Sequence, residues 1–183
     1  MKCNQSAIPD VLVFEPVVHH DERGFFKEVL RESSFNQFLS LYGQPSQSLV
    51  QENLSQSKRH VLRGLHFQSQ QPQGKLVSVV HGEVFDVAVD IRPHSETYGQ
   101  WVGHILSNQN HQQVWIPPGF AHGFLVLSES ADVLYKCSSY YMAGDQQGIL
   151  WSDPTLAIDW PLAKGQSPIL SVQDVTQPLF RGE

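Results

Sequence analysis

The sequence predicts an all-β protein, a sandwich or closed barrel, and three observations carry that prediction. Short β-branched and aromatic runs recur through residues 49–141, divided by Asn, Gly, Pro and Ser, the pattern of many strands in a closed or two-sheet architecture. Residues 84–92 alternate by parity, with Phe85, Val87, Val89 and Ile91 on one face and Asp86, Ala88, Asp90 and Arg92 on the other. Before residue 150 one stretch carries helical spacing, and it is short.

The elements follow in order. Val11-Leu-Val-Phe14 and Val17-Val18 read as an opening strand interrupted at Pro16. Asp21-Glu-Arg-Gly24 reads as a turn, and residues 25–30 return as a strand. Ser34 with Gln37 forms a capping-box pattern, and Phe35, Phe38, Leu39 and Tyr42 recur at helical spacing before Gly43, which predicts a helix of about two to three turns. Residues 76–81 and 84–92 meet at Gly82-Glu83 and read as a hairpin. Segments 102–106, 113–116, 123–127 and 133–138 read as further strands. From Trp151 the chain is proline-punctuated coil with one late helical turn, and a tail that long is expected to pack back on the barrel.

Bulk properties narrow the function. At 183 residues, 40% hydrophobic and 16% charged, the chain suits a single globular domain over residues 1–183. A net charge of −6 argues against a nucleic-acid surface, so any anionic ligand needs a local cluster of cations. Cys3 and Cys137 are too few for a disulfide scaffold or zinc knuckle. The N-terminus has no apolar signal region and no run approaches membrane-spanning length. The expectation is a cytoplasmic protein with no membrane partner.

Two stretches carry chemistry-bearing residues. Arg63, His66 and Lys75 cluster ahead of the 76–92 strands, and Pro118-Gly119-Phe120-Ala121-His122 sets a sharp corner before a histidine. Small barrels of the cupin superfamily carry a similar Pro-x-Gly-x-x-His element, paired with His-x-His and a later glutamate that bind a metal. Here the matching segment is His66-Phe67-Gln68, followed by Lys75. An ammonium is no metal ligand and an amide is a poor one, so no metal is expected. Each residue also has an ordinary structural role: Arg63 as a turn cation, Tyr135 as a core ring, Asp174 as a helix cap. Function depends on their convergence.

Several long motifs, in order, resemble the dTDP-4-dehydrorhamnose 3,5-epimerase family. They are Arg63-Gly-Leu-His-Phe-Gln68, Gly82-Glu-Val-Phe-Asp-Val-Ala-Val-Asp-Ile-Arg92 and Trp115-Ile-Pro-Pro-Gly-Phe-Ala-His-Gly-Phe124, with Asp21-Glu-Arg-Gly-Phe-Phe26, Gln51-Glu-Asn53 and Leu134-Tyr-Lys136. The resemblance spans residues 8–177. It implies a cupin-type jelly-roll barrel with a short N-terminal helix and a coil/helical tail, a homodimer, a dTDP-sugar substrate and no cofactor. It further implies His66 as catalytic base, Asp174 as its orienting carboxylate, Tyr135 as proton donor and Lys75 as the cation at an enolate oxygen. Arg23 and Arg63 would hold phosphates. Glu28, Gln51, Asn53 and His122 would contact sugar or nucleotide, and Phe26 and Tyr141 would pack against base and sugar.

Two departures stand out. Gln173 replaces a lysine the family often carries before the tail aspartate. The loop after Tyr140-Tyr141 reads Met142-Ala-Gly-Asp-Gln146, where relatives often carry His-Pro and an acidic residue. Alternatives are therefore a C3-only epimerase on a related 4-keto sugar, a metal-dependent cupin, or a non-catalytic sugar-nucleotide binding module.

Overall fold

The computed structural model describes residues 1–181, and short antiparallel strands build two facing sheets in it. Strands β1 (Lys2–Gln5), β2 (Leu12–Glu15), β3 (Val18–Asp21) and β4 (Gly24–Lys27) precede helix α1 (Glu32–Leu41). Then come β5 (Gln51–Lys58), β6 (Leu62–Gln68), β7 (Lys75–His81), β8 (Glu83–Asp90) and β9 (Trp101–Ser107). Next are β10 (Gln113–Ile116), β11 (Phe120–Val126), β12 (Ser130–Cys137), β13 (Gln146–Gly148) and a single turn of helix, α2 (Val172–Val175). One sheet runs β1-β2-β10-β7-β12-β5 and the other β13-β6-β11-β8-β9, while β3 and β4 form a separate hairpin. This is the all-β jelly roll expected, with its short helix and coil tail.

Strand parity divides the apolar side chains into three layers. Val77, Val79, Val84, Ala88, Val114, Ile116 and Val133 meet between the sheets. Val87, Val89, Leu62 and Leu125 face outward from the five-stranded sheet and are covered by Leu156 and Trp160 of the tail. On the other side Leu12, Phe14, Leu76 and Trp115 are covered by Phe35 and Leu39 of α1. The tail is also stitched down by polar contacts: the Ile169 carbonyl accepts from Leu62 N–H at 3.0 Å, and the Trp101 indole donates to the Leu156 carbonyl at 3.0 Å.

Three local expectations are corrected. The β7 and β8 runs do not form a hairpin; each belongs to a different sheet. Gly82 at φ 78° turns the chain from one sheet to the other, and a Cβ there would lie 2.0 Å from the Ser130 carbonyl. Both strands are covered on two faces, so their apolar pattern is the same for a corner as for a hairpin. Helix α1 begins at Glu32, with Arg31 as N-cap and no side-chain cap. Ser34 lies inside its first turn, because burial of Phe35 and Leu39 sets the helix phase. Strand β1 was not expected; it is mostly polar and exists by edge pairing with β2.

One irregularity positions the interior. Arg63 and His66 are three residues apart on β6, so a regular strand would point them to opposite faces, yet both line the same cavity between the sheets. The pairing of β11 with β6 matches His122 to His66 but Phe124 to Arg63, which leaves one extra residue on β6. Gly64, at φ 123°, lies where a Cβ would be 2.5 Å from Gly123 Cα. Gly64→Ala should therefore lose roughly 2–4 kcal/mol of stability in urea unfolding, from strain and overpacking together. Gly144→Ala, at a site with open space, should stay within about 0.5 kcal/mol.

Candidate active site

Two adjoining cavities open between the sheets. The larger, about 490 Å³, is lined by Arg63, His66, Lys75, His122, Tyr135 and Asp174 among others. The smaller, about 280 Å³, shares His66, Lys75 and Tyr135 and adds Gln51, Asn53 and Tyr141. Tyr135 and Lys75 come from the six-stranded sheet, and His66, Arg63 and His122 from the five-stranded one. The His66 imidazole and the Tyr135 phenol therefore stand on opposing walls.

Several of these side chains are held by partners. His66 Nε2 lies 2.6 Å from Asp174 Oδ1. Asp174 is 3% exposed, and its second oxygen accepts from the Ser171 hydroxyl at 2.8 Å. The Ser171 hydroxyl in turn caps α2 by accepting from Asp174 N–H. Arg63 donates to the Ser57 hydroxyl at 2.9 Å and the Gln56 carbonyl at 3.3 Å. His122 Nε2 lies 2.7 Å from Asp86 Oδ2. Gln51 and Asn53 share a 3.0 Å hydrogen bond, and Gln51 also accepts from Tyr141 N–H at 2.8 Å. Gln68, also in the lining of the smaller cavity, donates to the Gln71 carbonyl and accepts from Met142 N–H.

Three expected residues lie elsewhere in the chain. Arg23, Phe26 and Glu28 belong to the β3–β4 hairpin and its exit. Arg23 is paired with Asp21, Glu28 with Arg31, and Phe26 is 72% exposed. Phe26 and Glu28 border a separate recess with Met1, Val17, His19 and Arg31. Two residues of the site escaped sequence reasoning. Ser171 gave no signal beyond its place three residues before Asp174. Asp86 gave one: a charge on the β8 face that also carries Val84 and Ala88.

A family model described as dTDP-4-dehydrorhamnose 3,5-epimerase matches residues 5–182. The chain belongs to the dTDP-4-dehydrorhamnose 3,5-epimerase family. It is 53% identical over 174 residues to the Pseudomonas aeruginosa dTDP-4-dehydrorhamnose 3,5-epimerase, covering 95% of this chain and 93% of that one. It superposes with a TM-score of 0.90, at 51% identity, on a Legionella pneumophila dTDP-6-deoxy-D-glucose-3,5-epimerase solved in complex with dTDP-4-keto-L-rhamnose. That match covers 97% of this chain and 92% of the Legionella chain. A 3′-monoepimerase from Streptomyces bikiniensis, solved with dTDP-quinovose, matches at 31% identity and a TM-score of 0.86, covering 96% and 86% of the two chains.

Electrostatics in the epimerase follow from enclosure. Burial pushes the Tyr135 phenol up, with the nearby Arg63 guanidinium pulling the other way, so the phenol holds its proton at neutral pH. Burial drives Lys75 down, and Cys137 and Asp86 pull it back up. Burial also opposes the Asp174 charge, but hydrogen bonds from His66 and Ser171 outweigh it and leave the carboxyl below its usual value. A carboxyl depressed on folding stabilises above its unfolded pKa, about 3.9, and loses that contribution as pH falls through the lower folded value. The stability gap between wild type and Asp174→Asn should therefore be full at about pH 6 and close progressively below about pH 4 in urea titrations.

Proposed function

We propose that this 3,5-epimerase inverts C3 and C5 of dTDP-4-dehydro-6-deoxy-D-glucose with His66 as base and Tyr135 as acid, giving dTDP-4-dehydro-L-rhamnose. The observation that carries the assignment is one cavity with His66–Asp174 on one wall and Tyr135 beside Lys75 on the other. Hydrogens at C3 and C5 flank the 4-ketone, so removing either leaves an enolate. His66 takes the proton from one face, oriented by Asp174. The Lys75 ammonium faces the developing enolate oxygen, where an enclosed, fixed charge acts strongly. Tyr135 returns a proton to the opposite face, and repetition at the second carbon completes the double inversion.

Arg63 meets the diphosphate with its planar fork, supported by Ser57. His122, Gln51, Asn53 and Tyr141 contact the sugar and nucleotide from the two cavities. Gln173, which lines the larger cavity, and Gln146, which lines the smaller, replace charged contacts with neutral ones in this chain. The chemistry requires neither metal nor organic cofactor, because proton transfer and enolate stabilisation are supplied by side chains. The whole chain acts as one domain, in the cytoplasm and without a nucleic-acid partner. No helix among the described residues is long and apolar enough to cross a membrane.

The working unit is a homodimer in which the β3–β4 hairpin of one copy completes the site of the other. Val17, Phe25, Phe26 and Val29 are exposed together on and beside that hairpin, an apolar patch of the kind that marks an interface. Arg23 and Glu28, paired only with neighbours in their own loop, are then available to the partner's ligand. Mixing His66→Ala with Arg23→Ala and allowing subunits to exchange should give more activity than the two variants sum to separately. No gain on mixing would place Arg23 outside the partner's site.

Deuterium exchange from heavy water with product analysis by NMR tests the residue roles. His66→Ala should lose exchange at both carbons by roughly 10²–10⁴-fold. Asp174→Asn should do less damage, since the imidazole remains. Tyr135→Phe should keep exchange but fail to invert. Normal double inversion by Tyr135→Phe would refute the donor assignment.

A further inference from the structure

We infer that Asp145 is a positioning residue for ligand binding: its buried carboxylate clamps together two chain segments, 68–74 and 138–146, that line the smaller cavity. Asp145 closes the single 3₁₀ turn Ala143–Asp145 between β12 and β13 and is 7% exposed, yet it lines neither cavity. Both of its oxygens reach the turn between β6 and β7. Oδ1 accepts from the Ser69 N–H at 3.2 Å, the Ser69 hydroxyl at 2.8 Å and the Gln70 N–H at 2.8 Å. Oδ2 accepts from the same Gln70 N–H at 3.0 Å and from the Gln71 N–H at 2.8 Å. Successive backbone N–H groups of this kind form an anion cradle, and here the chain fills it with its own carboxylate. No Lys, Arg or His among the described residues forms an ion pair with Asp145, so these donors compensate its charge.

What the clamp connects gives it a role beyond pinning a turn. The 68–74 segment supplies Gln68 and Gln73 to the smaller cavity, and the 138–146 segment supplies Tyr141 and Gln146. Little packing orders the second segment: Tyr140, Tyr141 and Met142 are 65%, 49% and 49% exposed. Polar contacts must therefore fix where Tyr141 stands. Gln73 donates to the Ser139 carbonyl at 2.7 Å, Gln68 accepts from the Met142 N–H at 2.7 Å and Gln147 donates to the Ser69 hydroxyl at 3.0 Å. Each of these is a single neutral bond. Asp145 contributes a charge and several donors at once, and charge-assisted bonds are the stronger ones. The five-residue loop Met142–Gln146, where the sequence departs from the family pattern, is thus tied to the body of the barrel through its fourth residue.

The binding role rests on the reading that Tyr141 meets the nucleotide or sugar, but the clamp does not, and the two are tested separately. Asp145→Asn puts an NH₂ group against backbone N–H donors whichever way the amide is turned. Hydrogen exchange in the intact protein, read by mass spectrometry, should then quicken over residues 69–71 and 139–147. Calorimetric affinity for dTDP should fall by roughly three- to tenfold, because loosened side chains must be ordered at binding. KM should rise by a similar factor while kcat changes by less than about twofold, the mark of lost uniform binding. In a Tyr141→Ala background Asp145→Asn should add little further loss of affinity. Gly144→Ala, in the same loop with open space around it, should leave dTDP affinity unmoved. Asp145→Ser gives the same readouts if the asparagine variant does not fold. Unchanged exchange in a folded variant overturns the clamp. Faster exchange with unchanged dTDP affinity, or a loss confined to kcat, overturns the role in binding. Full additivity with Tyr141→Ala overturns the route through Tyr141. A wild type that does not bind dTDP removes the nucleotide reading of the cavity and with it the binding role, while exchange still decides the clamp.

Discussion

The close approach of β6 to β11 is the constraint on which the rest of the site depends. Gly64 and Gly123 bring the two backbones together where a side chain on Gly64 would collide, and the extra residue on β6 resets its parity. Without that slip, Arg63 and His66 would face opposite sides of the sheet, one toward the interior and one toward the tail. With it, the Arg63 guanidinium and the His66 imidazole look into the same space. The surrounding strands are ordinary apolar ladders whose contribution is to hold this irregularity still.

Enclosure between two sheets then sets the electrostatics. A chain of net charge −6 gathers Arg63 and Lys75 at one interior site whose lining also holds Asp174, with Asp86 buried outside that lining. In water such charges would be muted, but in a cavity whose lining includes Val61, Leu62, Phe124, Ile169 and Leu170 they act more strongly on one another and on whatever enters. Asp174 is tied to His66, which leaves Arg63 and Lys75 as the cations facing an anionic ligand.

Much of this was legible in the sequence because strand parity and turn chemistry are local. The β8 faces, the α1 stripe and the corner before His122 are each visible within about ten residues. Long motifs in register identified the family and placed His66, Lys75 and Tyr135. What escaped is what depends on the third dimension. Gly82 reads the same as a hairpin turn or a sheet-to-sheet corner, since both flanking strands are buried on two sides. Ser34 satisfies a capping pattern, yet helix phase is decided by where Phe35 and Leu39 find the sheet. Asp174 taken alone reads as a helix cap, and its contact with His66 appears only when the tail folds back; the position of Arg23, Phe26 and Glu28 away from the cavities is invisible to any one-dimensional pattern.

The tail contact has a consequence for biogenesis. His66 and Asp174 are 108 residues apart in sequence, among the longest-range contacts in a fold already rich in non-local pairing. Closing so long a loop is entropically late work, and on a ribosome the barrel strands emerge well before residue 174 does. The nascent chain thus passes through a stage with its sheets in place and its histidine without a carboxylate. The His66–Asp174 pair, and the part of the cavity wall that residues 169–174 supply, therefore form only after the strands that carry the histidine are already made.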